Sequence, residues 1–274
     1  MYKKDKDITK SIPGYRRILA HITPSRQAAS IYFTQTINVS KTLPWLEKIN
    51  QTQEKKITFM HIAICAMVRA LNERPQLNRY VTGYRFFQRD GVTVSVSVKK
   101  TLTDGAKIVL LKIPTDKNDT PQTIRDKLQP DLSASRSGKD LHQEKEVGLF
   151  LKLPSFLLQW ALKLLNFLDR RHWLPGFFVD PDPLYTSLVV ANLGSVGLDS
   201  AYHHLYEYGN CPFFGLIGKI NTKLILENEK PTEVPFVDIK YSFDERVEDG
   251  LACALSLEMA KKWMENPELL YNSI

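Results

Sequence analysis

The stretch of sequence that decides the fold lies near the C-terminus and reads Tyr241-Ser242-Phe243-Asp244-Glu245-Arg246-Val247-Glu248-Asp249-Gly250. It completes a run, residues 236–243, in which apolar and polar side chains alternate, as they do in a β-strand with one buried face. A helix is predicted to follow over about residues 249–264, and Pro267 stops a second short turn. This part of the chain is therefore predicted to be a strand, a charged turn and a helix.

The sequence before this stretch mixes helices and strands. Residues 92–98 alternate valine with serine or threonine, which predicts a strand. Thr58 is predicted to cap a strongly apolar helix that Pro75 ends, and Ser40 is predicted to cap a short helix through Leu46. The other predicted helices cover 15–22 and the residues from 120, and the other predicted strands are 31–39, 108–113, 187–191, 212–220 and 223–227. Because strands and helices do not alternate strictly, the pattern predicts an α+β sandwich in a single domain, residues 1–274.

Composition restricts the class of protein. The chain has 274 residues, of which 43% are hydrophobic and 24% are charged, as in an ordinary globular protein. Its formal charge of +7 is spread along the chain without a nucleic-acid-binding motif, so no nucleic acid partner is expected. The three cysteines form no CxxC pair, and the first twenty residues lack the apolar core of a signal peptide. A cytoplasmic location is therefore expected.

Several segments together resemble a known family. The 241–250 stretch resembles the active-site segment S-Y-D-H-R-V-x-D-G of dihydrolipoyl acyltransferases, and residues 265–270 resemble the E-N-P-x-L-L tail that follows it. Residues 70–78 are similar to the family's A-L-x-x-x-P-x-L-N, residues 94–98 to its V-A-V strand, and residues 191–197 to its S-N-L-G-x-x-G loop. The chain thus resembles the catalytic domain of 2-oxoacid dehydrogenase acyltransferases over most of residues 12–274.

This resemblance implies a fold and a mode of assembly. The fold would be a chloramphenicol-acetyltransferase-like mixed β-sheet sandwich with flanking helices. The chain would form a homotrimer or a larger cage of trimers, with the active site in a channel between subunits. Coenzyme A or an acyl-CoA would enter as co-substrate, with no tightly bound cofactor and no metal. Neither a lipoyl nor a peripheral-subunit-binding domain is expected in this chain.

The positions that carry the family's chemistry are changed. Glu245 occupies the position of the catalytic histidine, and Ala191 occupies that of the hydroxyl residue that stabilises the oxyanion. Asp249 matches the family's second motif carboxylate, whose role there is mainly architectural. Asn192 and Gly194 fall in the family's active-site loop and are expected to line the coenzyme site. Transfer of an acyl group to lipoamide by the standard chemistry is therefore not expected.

Several interpretations of the altered site remain open. Glu245 is a candidate replacement base, or a structural residue that pairs with Arg246 or with a neighbour across the subunit interface. His203 and His204 are candidate relocated bases, in a string that resembles the H-H-x-x-x-D-G motif of related acyltransferases except that Tyr208 replaces its aspartate. The chain is thus either a non-standard coenzyme A-dependent acyltransferase or a catalytically inactive oligomeric scaffold or acyl/CoA-binding protein.

An apolar insertion, about residues 132–184, departs from the family pattern. Residues 133–143 are predicted to form a mobile loop, and residues 154–171 a helix. This helix is apolar except for one narrow polar stripe, which consists of Ser155, Gln159, Lys163, Asn166 and Arg170. Three locations suit so apolar a helix: under the insertion's own fold, against another subunit, or in contact with a membrane surface or lipid. The last would make a cytoplasmic protein membrane-associated.

Overall fold

A computed structural model describes residues 5–101, 103–136, 153–227 and 229–271. Most of the predicted helices are present in these residues. The helices are α1 (Gly14–Ile22), α2 (Thr42–Asn50), α3 (Phe59–Glu73), α4 (Pro121–Arg136), α5 (Ser155–Arg170), α6 (Gly176–Val179) and α7 (Gly250–Glu265). Short 3-10 turns accompany them at Thr9–Ser11, Pro75–Leu77, Leu193–Val196 and Pro267–Tyr271.

Nine strands form two sheets. The strands are β1 (Lys6–Asp7), β2 (Ser30–Asn38), β3 (Arg79–Thr82), β4 (Arg85–Gln88), β5 (Val92–Lys99), β6 (Ile108–Thr115), β7 (Leu188–Asn192), β8 (Phe213–Glu227) and β9 (Lys230–Asp244) in the described part of the chain. The large sheet has the order β2-β9-β8-β7-β5-β6, and a small sheet has the order β1-β4-β3. In the large sheet β7 runs parallel to both of its neighbours, β5 and β8. The remaining pairs of neighbouring strands in this sheet are antiparallel. The predicted mixed sheet with flanking helices is confirmed.

The main core lies between one face of the large sheet and three helices. Helix α3 contacts α7, α4 and β5, and nearly all of its side chains are buried. Alternate residues of the strands complete this core, for example Val94 and Val96 of β5 and Ile239 and Tyr241 of β9. The alternation that predicted these strands therefore marks the face that packs against the helices, which we call the helix face.

Helix α3 begins with a capping box in which a histidine takes the place of the usual glutamate or glutamine. The backbone N–H of Thr58 donates to Nδ1 of His61 at 2.9 Å. Burial disfavours the imidazolium ion and Arg125 repels it, so the pKa of His61 falls from 6.5 to about 4. His61 is therefore neutral in the folded protein at pH 7.

This histidine is expected to make the protein less stable in mild acid. In the unfolded chain His61 takes up a proton near pH 6.5, whereas in the folded chain it does so only near pH 4. The contribution of neutral His61 to the free energy of unfolding is therefore complete above pH 6.5 and is lost as the pH falls to 4. The expected loss is about 3 kcal/mol of unfolding free energy. Urea denaturation between pH 4 and 7 measures it, and His61→Gln, which keeps a side-chain acceptor, should remove this component. Parallel pH curves for the two proteins would exclude the effect.

Some sequence predictions are corrected by the structure. Ser40 does not cap α2, because that helix begins at Thr42 after Lys41, and the Ser40 N–H instead binds the Asn38 side chain. The strand predicted to break at Asn221 is continuous, and its irregularity is a bulge between Ile217 and Ile220. Residues 133–136, predicted as loop, complete α4, and the rest of that predicted loop, 137–143, lies outside the described residues. The β3–β4 hairpin was not predicted.

Helix α5 of the insertion is attached mainly at its C-terminal end. Leu165 and Leu168 pack against Leu174, Val179 and Tyr185, and Thr82 Oγ1 donates to the Asp169 carboxylate at 3.3 Å. Most other apolar side chains of α5 are exposed, with Trp160 72% and Phe156 65% accessible. The described part of the insertion therefore does not bury most of this helix, and residues 137–152 of the insertion lie outside the described residues. No helix among the described residues is long and apolar enough to cross a membrane.

Gly83 permits this attachment. Its φ is +54°, and a Cβ at this position would lie 1.8 Å from the Arg170 carbonyl oxygen. We expect Gly83→Ala to detach the end of α5 while the main core stays folded, because the clash is with backbone that cannot move without the helix. Hydrogen exchange of residues 155–170 measures the detachment. Gly91→Ala is the matched control, since Gly91 also has a positive φ (+81°) but has no atoms within 4 Å of its Cβ position. Unchanged protection of α5 would contradict this account.

Candidate active site

A buried ion pair organises the end of β9. Arg246 Nε donates to Asp244 Oδ1 at 2.8 Å, and its Nη2 donates to Oδ2 at 2.7 Å, so the pair is bidentate. The two side chains are 4% and 1% exposed, and hydrogen bonding to Asp244 raises the pKa of Arg246 against the opposing effect of burial. Arg246 Nη1 also donates to the carbonyl oxygens of Thr23 and Pro24. The predicted pairing of Glu245 with Arg246 is therefore wrong, because Arg246 is engaged by Asp244.

Arg26 connects this ion pair to the loop that carries the two histidines. Its Nη1 donates to the Tyr206 carbonyl oxygen at 2.6 Å, and its Nε lies 3.9 Å from Asp244 Oδ2. The Glu207 carboxylate accepts from the backbone N–H groups of Arg26 and Gln27. The 203–207 loop is thus held beside the end of β9. No motif marked Arg26, which lies in a turn, so the sequence did not indicate this role.

Glu245 is the first residue after β9, and its side chain is half-buried. Its backbone N–H donates to the Ala29 carbonyl oxygen at 3.0 Å, which fixes the main chain. Its carboxylate has no hydrogen-bond or ion-pair partner among the described residues. The structure therefore holds the position of residue 245 through the backbone and gives its side chain no structural role in the single chain.

The remaining acidic residues of the segment are structural. Asp249 Oδ1 accepts from the Ala252 N–H at 2.8 Å and so caps α7. Glu248 accepts from Arg16 at 2.8 Å and from Arg79 at 3.2 Å, which joins α1 and β3 to the segment. The architectural role that the resemblance implied for Asp249 is consistent with this cap.

His203 packs on the face of the large sheet opposite the helices. Its ring stacks on Phe214 of β8 at 4.9 Å and on His204 at 4.7 Å, and Tyr206 meets it edge-on. Its carbonyl oxygen accepts a short hydrogen bond from Ser242 Oγ of β9. The ring is thus fixed in position by three aromatic neighbours, while its main chain is tied to the sheet.

A backbone contact also fixes the tautomer of His203. Its Nδ1 lies 2.7 Å from the His204 carbonyl oxygen. A carbonyl oxygen only accepts hydrogen bonds, so Nδ1 carries the proton. In the neutral imidazole, Nε2 then has the free lone pair, which is the arrangement a general base requires. His204 is exposed and has no comparable constraint among the described residues.

The loop after β7 is shaped by backbone packing. Asn192 Oδ1 accepts from the Ser195 N–H at 3.2 Å and caps the 3-10 turn Leu193–Val196. A Cβ at Gly194 would lie 2.5 Å from the Gly218 carbonyl oxygen, so only glycine allows the turn to approach the bulge of β8. Asn192 and Gly194 therefore each have a structural role in this turn. Their predicted contact with coenzyme A stays a prediction.

Ala191 shares the sheet face of His203. It packs with Val189, Phe214 and Leu216. The structure thus places the two histidines and Ala191 on one side of the sheet, with Glu245 just beyond its edge. We call this side the loop face. A polar cavity of about 70 Å³ adjoins the edge and is lined in part by Arg26, Glu207 and Arg246.

Two other kinds of site receive no support. Cys211 is buried, and burial raises the pKa of its thiol to about 11, so it is a poor nucleophile at neutral pH. Among the described ranges, no group of three or more His, Cys, Asp or Glu side chains lies close enough to hold a metal ion.

Comparison with known proteins shows similarity to one family over part of the sequence. The sequence profile described as "2-oxoacid dehydrogenases acyltransferase (catalytic domain)" matches residues 5–105. This range includes the 70–78 and 94–98 segments but not the 241–250 segment. No curated protein sequence matches the chain significantly.

Solved structures extend the similarity to the whole fold. A probable dihydrolipoamide acetyltransferase from Listeria monocytogenes 4b F2365 is similar with a TM-score of 0.64 and 15% identity, over 93% of this chain and 92% of that one. The cubic core of the pyruvate dehydrogenase multienzyme complex is similar with a TM-score of 0.62 and 11% identity, over 97% of this chain and 92% of that one. A chloramphenicol acetyltransferase is similar with a TM-score of 0.58 and 12% identity, over 95% of this chain and 99% of that one. The chain therefore has the chloramphenicol-acetyltransferase-like fold, and its predicted resemblance to the catalytic domain of 2-oxoacid dehydrogenase acyltransferases is confirmed.

Proposed function

We propose that this protein is a coenzyme A-dependent acyltransferase in which His203 replaces the family's usual histidine as general base. The observation that carries the proposal is the contact between His203 Nδ1 and the His204 carbonyl oxygen, which leaves Nε2 as a hydrogen-bond acceptor. A catalytic base also needs a fixed orientation, which the stacking on Phe214 and His204 supplies.

The reaction that suits this arrangement is transfer of an acyl group from a thioester to a thiol. His203 Nε2 accepts the proton of the acceptor thiol while the sulfur forms a bond to the carbonyl carbon of the acyl-CoA. The tetrahedral intermediate then breaks its bond to the coenzyme A sulfur, which takes the proton back from His203. Atoms and charge balance without a further reactant.

Turnover is expected to be slow. Ala191 offers no side-chain donor to the oxyanion of the intermediate. Loss of one such donor lowers the rate by roughly a hundred- to a thousand-fold in other acyl-transfer enzymes. The free carboxylate of Glu245 would also disfavour the developing negative charge if it lies near that oxyanion.

Ala191 and Glu245 support a second candidate function, an inactive oligomeric scaffold or an acyl/CoA-binding protein. Glu245 replaces the family's histidine and Ala191 replaces its hydroxyl residue, so both of the family's usual catalytic groups are missing from their positions. In this case the Asp244–Arg246 pair, the Asp249 cap and the Asn192 turn preserve only the fold.

Both candidate functions include assembly as a homotrimer or a cage of trimers. A similar solved structure is described as the cubic core of the pyruvate dehydrogenase complex, which supports assembly of this fold. In the single chain, the second half of β8 exposes the apolar side chains of Ile220, Leu224 and Leu226, which contact with another subunit would bury.

An assay of the purified wild-type protein separates the two functions. Acyl-CoAs with short and long chains are incubated with monothiol and dithiol acceptors, and acyl thioester products are measured by mass spectrometry. Product above the uncatalysed background supports the enzyme and excludes an inactive scaffold. Absence of product with every pair overturns the enzyme, particularly if the Glu245→His, Ala191→Ser double variant remains inactive.

A further inference from the structure

The exposed side of α5 has a composition and charge that identify what it contacts. Five large apolar side chains form a continuous stripe along the helix, at spacings of one, three, four and three residues. They are Phe156, Leu157, Trp160, Leu164 and Phe167, and all are exposed. At about 1.5 Å per residue, the stripe from Phe156 to Phe167 extends over roughly 16 Å of the helix.

The apolar stripe is distinct from the side by which α5 is attached. A second row of apolar side chains runs along the side of the helix that faces the rest of the chain. These side chains are partly buried and belong to Leu158, Ala161, Leu165 and Leu168. Leu165 and Leu168 contact the cluster around Tyr185. The helix therefore presents three sides: one attached to the protein, one polar, and one apolar that no other described residue covers. Attachment to the chain does not account for the third.

The charges beside the apolar stripe are all positive. Lys163 lies three residues after Trp160 and four before Phe167, so it borders the stripe, and Arg170 extends the same edge. The Arg171 guanidinium lies 4.4 Å from the Phe167 ring centroid and 5.2 Å from that of Trp173. None of these three cations pairs with a carboxylate within the described residues. Over residues 153–179 the single acid is Asp169, which is buried and bonded to Thr82.

Further exposed aromatic and aliphatic residues adjoin this helix. Phe177 is 80% exposed, and Trp173 is also exposed. At the C-terminal end of α5, Arg170 lies over the Tyr84 ring, on which His21 of α1 also stacks. Helix α1 exposes a second short apolar stripe, Tyr15, Ile18 and Ile22. Two amphipathic helices thus meet at Tyr84.

We propose that the apolar stripe of α5 lies in the interface of a phospholipid bilayer with an anionic surface. Aromatic and leucine side chains bordered by lysine and arginine are typical of helices that lie in the plane of a membrane. Anionic lipid headgroups supply counter-charges for Lys163, Arg170 and Arg171, which pair with no carboxylate in the described part of the chain. A second copy of the chain fits less well, because a two-fold contact through this stripe would bring like cations together with no acid of the described residues 153–179 except the buried Asp169. This proposal is independent of whether the protein is catalytic.

The test uses the full-length protein with vesicles of phosphatidylcholine alone or with about one third phosphatidylserine, at low ionic strength. Flotation should recover the protein with the anionic vesicles, and Trp160→Glu with Phe167→Glu should weaken binding by roughly ten-fold or more. Lys163→Glu with Arg171→Glu should remove the preference for anionic vesicles. Ile108→Glu is the matched control, since Ile108 is 68% exposed, close to the 72% of Trp160, but lies in β6, and vesicle binding by this variant should be unchanged.

The results that overturn the proposal are distinct. Absence of wild-type binding to anionic vesicles would overturn it, and so would equal loss of binding in the Ile108→Glu control. A change of oligomeric state in the Trp160→Glu, Phe167→Glu variant, without vesicle binding by the wild type, would assign the stripe to a second copy. Transfer from a water-soluble short-chain acyl-CoA is measured in parallel. The stripe variants should leave it unchanged, so failure of this proposal is separable from failure of the proposed enzyme activity.

Discussion

His203→Asn is expected to lower kcat/KM for acyl transfer by roughly a hundred- to ten-thousand-fold, the range that loss of a general base produces. Asparagine keeps an N–H donor close to the position of Nδ1, so the bond to the His204 carbonyl oxygen is retained. It has no atom at the position of Nε2. The variant therefore removes the proposed base while the loop keeps its backbone contacts.

The comparison variants make this prediction specific to Nε2. His204→Asn removes the adjacent imidazole but not the constrained one, and should change kcat/KM by only a few-fold. Glu245→Gln should not abolish turnover, since its carboxylate is not the proposed base. If His203→Asn retains wild-type activity while Glu245→Gln loses it, the base is Glu245 and the His203 assignment is wrong. Steady-state kinetics and circular dichroism on the same samples separate loss of catalysis from loss of folding.

Local sequence patterns predicted most of the regular structure because burial imposes them directly. Val92 to Val98 alternates, and the structure places its buried valines against α3. Thr58 begins α3 as predicted, since its N-cap geometry depends only on nearby residues. The β3–β4 hairpin escaped prediction because its strands have four residues each, too few to establish a period, and carry Arg79, Arg85 and Gln88.

Side-chain contacts that depend on the three-dimensional fold were not predicted from local sequence patterns. Adjacency in sequence favoured a Glu245–Arg246 pair, whereas the fold pairs Arg246 with Asp244, two residues away. Arg26 approaches Tyr206 and Asp244 only because the chain returns to the same edge of the sheet. For α5, the apolar composition was evident, but its exposure depends on attachment through Gly83 at one end of the helix. The predicted site residues themselves remain predictions.

The second large effect is expected on stability, from Arg246→Met. Removal of the guanidinium leaves the Asp244 carboxylate buried, with Arg26 Nε at 3.9 Å as its nearest remaining cation. An uncompensated buried charge of this kind typically costs about 3–5 kcal/mol of unfolding free energy. The variant also removes the donors to the Thr23 and Pro24 carbonyl oxygens, so the turn that leads to Arg26 should loosen. Urea denaturation at fixed protein concentration measures the loss.

A double-mutant cycle distinguishes the ion pair from general damage to the core. Asp244→Asn with Arg246→Met removes both charges, so the double variant should be more stable than the sum of the single losses predicts. Glu245→Gln is the adjacent control and should change the unfolding free energy by less than about 0.5 kcal/mol, because its carboxylate has no partner among the described residues. Additive single losses would show that the two side chains act separately. Since Arg26 joins Asp244 to the 203–207 loop, a destabilised pair should also weaken acyl transfer through misplacement of His203, with the larger effect on kcat.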